Sequence, residues 1–278
     1  MAFLGGDMSE VNKFGLKLRF SGPTVEKHGL DLYDGATSFY GFAQALQIAT
    51  HAYMTGEIVS RATAMKGAEM YFGAPRHGSV LIDIVTVMEQ YPATTGVAGA
   101  AFYDFMKTAF SKAAGYLKTK PETPAVQKLA IDETFFDQLS ETLEGSLQRA
   151  HRAIDYGVQQ VTLERPRSEL VLFDRTTSEW VNTRDENPNV EEFTGNITRY
   201  NSISGNGRAF VRELKRVLPF RPGVNFPDNK RGLLTWSLHG NTVSGEKELR
   251  FWASKIESAK GDPKRLILAD CAFKNPTA

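Results

Sequence analysis

Two rhythms of apolar residues run along this chain, and one replaces the other near Gly157. Before that point long repeats at helical spacing are interrupted by a few strand-like runs; after it, short alternating runs are separated by Gly, Pro and Asn. Phe14, Leu16, Leu18 and Phe20 alternate with Gly15, Lys17 and Arg19, the two-residue period of a half-buried strand, which Ser21-Gly22-Pro23 ends. Phe39, Phe42, Leu46, Ala49 and Tyr53 then recur at steps of three and four, placing one apolar stripe on a helix with Asp34 as its cap and Gly56 as its stop.

Residues 68–74 and 79–88 read as a hairpin about Pro75-Arg76-His77-Gly78. In the second run Val80, Ile82, Ile84 and Met88 share one face, and Leu81, Val85 and Val87 share the other with Asp83. Two apolar faces predict a strand covered by helices on both sides. Residues 97–117 read as a helix rich in Ala and Phe, whose small residues would admit a close neighbour, including a second copy of the chain. Thr123-Pro124 opens a long helical region, with a second start at Asp132, and Leu139, Leu143, Leu147, Ala150 and Ile154 make its stripe down to Gly157.

From residue 158 the runs shorten to 169–173, 192–200, 208–214, 249–256 and 264–272. Turn chemistry bounds them at Asn187-Pro188-Asn189, Ser204-Gly205-Asn206-Gly207 and Lys260-Gly261-Asp262-Pro263, the signature of antiparallel meanders. One helix is expected over 228–239, and Gly195 inside a strand marks a bulge or a sharp bend of the kind small barrels need. The expectation is an α+β protein: a helix-covered sheet in residues 1–157, then a small β-rich barrel-like or curled-sheet module in residues 158–278.

Composition adds exclusions more than functions. At 278 residues the chain can bury one large core or two ordinary ones. Residues 1–157 hold 14 Lys or Arg against 17 acids and residues 158–278 hold 19 against 15, an asymmetry that permits an anionic partner for the second half without demanding one. Cys271 is the single cysteine, which excludes an internal disulfide and a Cys-rich metal site and fits a reducing cytoplasm. Residues 1–7 lack the basic lead and long apolar core of a signal peptide and read as a leader, with Met8 as the true start. The richest apolar window, 97–117, carries Asp104, Lys107 and Lys112, so no membrane span is expected. Asn196-Ile197-Thr198 matches a glycosylation acceptor, without a secretory context to give it meaning.

Three places carry candidate chemistry. His28, Asp31 and Asp34 put an imidazole and two carboxylates within seven residues, the donor types of a divalent-ion or acid-base site, against the plainer reading of a helix cap. Asp83 would be a carboxylate in a buried strand, obliged to raise its pKa or to find Arg76, His77 or Arg61. Arg208, Arg212, Lys215, Arg216 and Arg221 interleave with Phe210 and Phe220, a set that would grip phosphates and stack bases if displayed on one face of a curled sheet. No nucleophile elbow, dinucleotide fingerprint or phosphate loop is present, and no cofactor is implied.

The helix from Leu30-Asp31-Leu32 to Tyr53, the strand opened by Gly78-Ser79 and the later strand at Gly195-x-Ile197 follow one another in an order that resembles an uncharacterised family of bacterial proteins of two-part α+β build. That resemblance implies a bacterial cytoplasmic setting, among accessory genes such as phage defence, and carries no activity and no residue role. Function is therefore expected to be non-catalytic binding, through a protein partner or self-association. Nucleic-acid or polyanion binding by the β-rich module is the first alternative, and a hydrolase site built around Asp83 or His28, Asp31 and Asp34 the second.

Overall fold

The computed structural model describes residues 12–61, 67–73, 80–131, 133–182, 185–243, 247–258, 261 and 263–274. The leader, the Pro75-Arg76-His77-Gly78 turn and Asp132 lie outside the described residues. The chain divides into two compact units, Met1–Asn182 and Thr183–Ala278.

In the first unit β1 (Asn12–Ser21), α1 (Pro23–His28), α2 (Leu32–Thr55), β2 (Ala68–Phe72) and β3 (Val80–Met88) are followed by four helices, α3 (Ala100–Ala113), α4 (Pro124–Ile131), α5 (Glu133–Ala150) and α6 (Arg152–Asp155). β4 (Gln160–Arg165), β5 (Ser168–Phe173) and α7 (Arg175–Asn182) complete it. The strands form one antiparallel sheet in the order β2-β3-β1-β4-β5. Phe14, Leu16, Leu18 and Phe20 are buried under the helices, with Phe14 against Phe102 of α3 and Phe20 against Phe42 of α2. The alternate residues Lys13, Lys17 and Arg19 lie on the opposite face with solvent access. That is the single-sided burial common to antiparallel sheets.

β3 follows the same rule and corrects the expectation of two covered faces. Ile82, Ile84, Thr86 and Met88 are buried, while Leu81, Asp83, Val85 and Val87 fall on the open face. The apolar residues there suit a pleated half-buried surface, and Leu81, Val85 and Val87 keep solvent access. The boundary at Gly157 is corrected too. The change of rhythm marks the end of the helices and not the end of the sheet, because Leu18 and Phe20 of β1 still need neighbours and find Leu163 and Val161 of β4 in register.

α2 is capped one turn earlier than expected: Asp31 accepts the N–H groups of Tyr33 and Asp34, each at 2.8 Å, and Gly56 ends the helix in the left-handed conformation, φ 76°. Gly41 lets α2 and α5 approach closely, since a Cβ there would come within 2.6 Å of Ser146 O. Ala101, Ala109 and Ala113 of α3 face the core, and Ala100 at its start is exposed. Asp104 on the same helix is 4 % exposed and reaches the chain before α4. It accepts Glu122 N–H at 3.0 Å, Thr123 N–H at 2.6 Å and the Thr123 hydroxyl at 2.6 Å.

The second unit is a closed barrel of β6 (Asp185–Tyr200), β7 (Gly207–Val211), β8 (Arg216–Pro222), β9 (Leu249–Glu257) and β10 (Pro263–Phe273), with α8 (Arg231–Val243) between β8 and β9. Around the barrel the order is β10-β8-β7-β6-β9, antiparallel throughout except for the parallel pair β8 and β10. Five strands closed in this order, with a helix before the fourth strand, have the topology of the oligonucleotide- and oligosaccharide-binding barrel. Phe193, Ile197, Val211, Leu218, Phe220 and Phe251 are among the residues filling its core. Gly195 of β6 pairs with Val211 on one side and Leu249 on the other, and a Cβ at this position would overlap Phe210 O. The ladder irregularities sit on either side of it, between Ile197 and Arg199 and between Asn187 and Glu191.

Candidate functional site

The outer face of β7 and β8 follows from parity. Ala209, Val211, Leu218 and Phe220 point into the barrel, so Arg208, Phe210, Val217, Pro219 and Arg221 point out. Register then fixes neighbours: Arg208 lies opposite Pro219 on one side and opposite Arg199 of β6 on the other, Phe210 lies opposite Val217, and Arg221 lies beside Ile267 of β10. The result is a short apolar strip of Phe210, Val217 and Pro219 flanked by three guanidinium groups. Neither strand contains an Asp or Glu.

The remaining members of the basic cluster lie off this face. Arg212 follows the end of β7 and pairs with Glu248, which also holds Lys274 at 2.5 Å. Arg216 lies in register with Val211 and donates to Pro263 O on β10. Lys215 occupies the tight turn between β7 and β8 with φ 51° and is exposed. Of the five residues singled out by composition, the structure therefore brings Arg208 and Arg221 to one face, leaves Lys215 at its rim, and removes Arg212 and Arg216. Arg199 is the member that sequence reading missed, because it joins the face through pairing across β6 and not through proximity in the chain.

At one end of this face the loop 201–206 is pre-shaped. Asn201 Oδ1 accepts the N–H groups of Ile203 at 2.9 Å and Ser204 at 3.1 Å, and the Ile203 side chain is 96 % exposed. Gly205 packs beside Pro222, where a Cβ would come 3.5 Å from the proline ring.

The other sequence candidates have structural roles. Asp31 is the α2 cap, Asp34 pairs with Arg152 Nε at 2.7 Å, and His28 ends α1. Among the described residues no group of three or more His, Cys, Asp or Glu is placed to hold a metal ion. Asp83 is not buried: it sits on the open face of the sheet, directly opposite Lys17 in register, with Lys17 Nζ 3.9 Å away. Arg19 and Glu164 form the next pair along that face at 2.7 Å. Of the partners expected for Asp83, Arg76 and His77 lie outside the described residues, and Arg61 is exposed. Among the described residues no helix is long and apolar enough to cross a membrane.

A concavity in the first unit was not anticipated. It lies between α2 and the edge strand β2, has a volume of about 460 Å³, and is lined by Phe39, Ala43 and Leu46 from the helix and Ala68, Met70 and Phe72 from the strand. Helical and strand periods are each legible alone, but nothing in either says that this edge stays open.

Residues 16–182 match the model of a family described as Domain of unknown function (DUF7946), and the match ends where the first unit ends. No curated protein and no solved structure matches the chain. The chain belongs to this family, which has no assigned activity; the barrel lies beyond the matched residues.

Proposed function

We propose that this DUF7946 protein is a non-catalytic binding protein whose barrel holds single-stranded nucleic acid across β7 and β8. One observation carries the reading: Arg199, Arg208 and Arg221 surround the apolar strip of Phe210, Val217 and Pro219 on the outward face of those two strands. Phosphates would be gripped by the guanidinium groups, and base faces would lie on the strip, the combination by which barrels of this topology hold single strands. The second unit also holds 16 Lys or Arg against 11 acids, so its field attracts a polyanion from a distance. A duplex keeps its base faces stacked away from such a surface, which favours single strands.

The test is fluorescence anisotropy with a labelled homopyrimidine strand and its duplex across a salt series. The single strand should bind more tightly, and log affinity should fall with log salt at about 0.7 per phosphate engaged, so roughly 2 for three arginine contacts. Removing Arg208 and Arg221 together should lower that slope by about 1.4. Phe210→Ala should cost about 1–3 kcal/mol with the slope unchanged. Absence of binding at low salt, or a slope indifferent to the double substitution, would refute the proposal.

A further inference from the structure

The two edges of the five-stranded sheet are not alike. At β5 the edge is engaged at one point, where Tyr116 Oη donates to Leu172 O at 3.0 Å. At β2 no such engagement exists among the described residues. Gly73 N donates to Asp83 O at 2.8 Å and Gly67 O accepts from Glu89 N at 3.0 Å, so the odd-numbered residues of this stretch bond to β3. The backbone N–H and C=O groups of Ala68, Met70 and Phe72 therefore point away from the sheet. These three residues are among those that line the cavity beneath α2, together with Glu69 and Tyr71.

The surroundings of this edge are apolar and exposed. Phe72 is 70 % exposed and Tyr71 56 %, and Tyr40 on α2 is 59 % exposed beside Phe39, which meets Phe72 edge-on at 5.4 Å. Soluble proteins usually blunt such an edge with Lys, Pro or a bulge. β2 has none of these, and its one charged residue, Glu69, already accepts from Tyr71 Oη.

We infer that β2 pairs antiparallel with β2 of a second copy, about a two-fold axis at Met70, joining two sheets into one. In that register Met70 faces Met70 of the partner subunit and Ala68 faces Phe72 of the partner subunit. These are the positions whose backbone groups point outward, so every one of them gains a bond. On the open face Glu69 falls opposite Tyr71 of the partner subunit, and the carboxylate and phenol that already meet within one strand meet across the axis as well. Sliding the pairing by two residues in one direction sets Glu69 against Glu69 of the partner subunit, like charge on like. Sliding it the other way sets Tyr71 against Tyr71 of the partner subunit and Glu69 against Gly73 of the partner subunit, so both carboxylate–phenol contacts across the axis are lost. A slip of one residue turns the outward groups of one strand against the inward groups of the other and presents the wrong side-chain face. Charge and hydrogen-bond parity thus select one register, and it is self-complementary, as a two-fold interface requires. Met70 and Phe72 of the partner subunit then extend over the cavity, and Phe39, Tyr40 and Phe72 add the apolar area that a five-residue strand alone lacks.

Sedimentation velocity of the whole chain over a concentration series tests this. The wild type should reach twice the chain mass. Met70→Pro removes an N–H that serves only the outer edge, a site where a strand tolerates proline, and should weaken the dimer about 10- to 100-fold. Phe72→Lys places a charge on the exposed edge and should do the same without touching the β3 ladder, so the inference stays testable if the proline variant folds poorly. Both variants should keep the wild-type circular dichroism. A wild type monomeric at every concentration overturns the inference and leaves the edge to a strand from another protein. A dimer that withstands Phe72→Lys also overturns it, by placing the contact elsewhere.

Discussion

Asp104 is the residue whose loss should cost the first unit most for the fewest atoms. Its carboxylate, 4 % exposed on α3, holds the two backbone N–H groups of Glu122 and Thr123 and the Thr123 hydroxyl, while Thr123 O in turn accepts Gln127 N–H at 2.8 Å in the first turn of α4. Asp104→Ala removes the buried acceptor and leaves the two donors without it, one on the half-buried Thr123 and one on Glu122, which is exposed. Each stranded donor costs about 1–3 kcal/mol, and because Thr123 Oγ1 can turn to another acceptor only the two N–H groups are counted, giving about 3 kcal/mol in all. Asp104→Asn keeps the volume and one oxygen, and should cost about half as much. For a unit of this size, about 3 kcal/mol corresponds to a fall in melting temperature of roughly 6–12 °C. Calorimetry gives the shift directly, and urea unfolding with an unchanged slope against denaturant would assign it to lost stability and not to a changed unfolded state. A loss below about 1 kcal/mol for Asp104→Ala would refute the reasoning, since it would mean that the two N–H groups find equivalent partners without the carboxylate.

Two further outcomes follow from buried ionisable groups. His151 is fully buried, with Nδ1 2.7 Å from Leu147 O and Nε2 2.9 Å from Thr177 Oγ1, and burial holds its pKa below the ordinary value against the opposing pull of the Leu147 carbonyl, Asp155 and Asp174. The unfolded chain therefore takes up the proton first, so the stability present above about pH 6.5 is lost as pH falls below it, and the melting temperature should drop more steeply in the wild type than in His151→Gln; equal slopes would contradict this. Burial pushes the Cys271 thiol up to about 11, so a thiol reagent at neutral pH should label the protein only in denaturant, and rapid labelling of the native state would show that the barrel core is open there.

Much of the local structure was legible because it depends on residues close in the chain. Phe42, Leu46, Ala49 and Tyr53 all lie in the core at the positions that the helical period assigns them, and Gly56 ends the helix. The cap moved from Asp34 to Asp31 because the first turn of α2 carries Leu32 and Tyr33, which are exposed and so leave no trace in the burial stripe. Pairing between distant segments was not legible. β4 joins β1 across more than a hundred residues, Leu18 opposite Leu163, and alternation in either strand names no partner. That is why the β-rich half was expected to begin at residue 158 when its first two strands complete the earlier sheet. β8 was hidden differently, since Pro219 and Pro222 look like turn residues until the barrel places them at defined positions of a strand.

The candidate face shows the same division between spacing and pairing. Alternation alone puts Arg208, Phe210 and Arg212 on one side of a strand, and that holds only while the strand lasts; β7 ends at Val211, and Arg212 turns away to Glu248. Arg199 and Arg221 enter the face through register with Arg208 and Ile267, from strands that lie nine and thirteen residues from Arg208 in the chain. A basic cluster read along the sequence thus gained one arginine and lost two when the barrel closed. The closure also changes what the cluster can hold. Five charges in a line would suit any polyanion, whereas three guanidinium groups around Phe210, Val217 and Pro219 reward a ligand that offers phosphates and flat apolar faces together, which a sulfated polysaccharide or an acidic peptide does not. Competition by such polyanions should therefore be weak relative to a single strand of equal charge, and the difference should vanish in Phe210→Ala, because that substitution removes the flat surface and leaves the charges where they are.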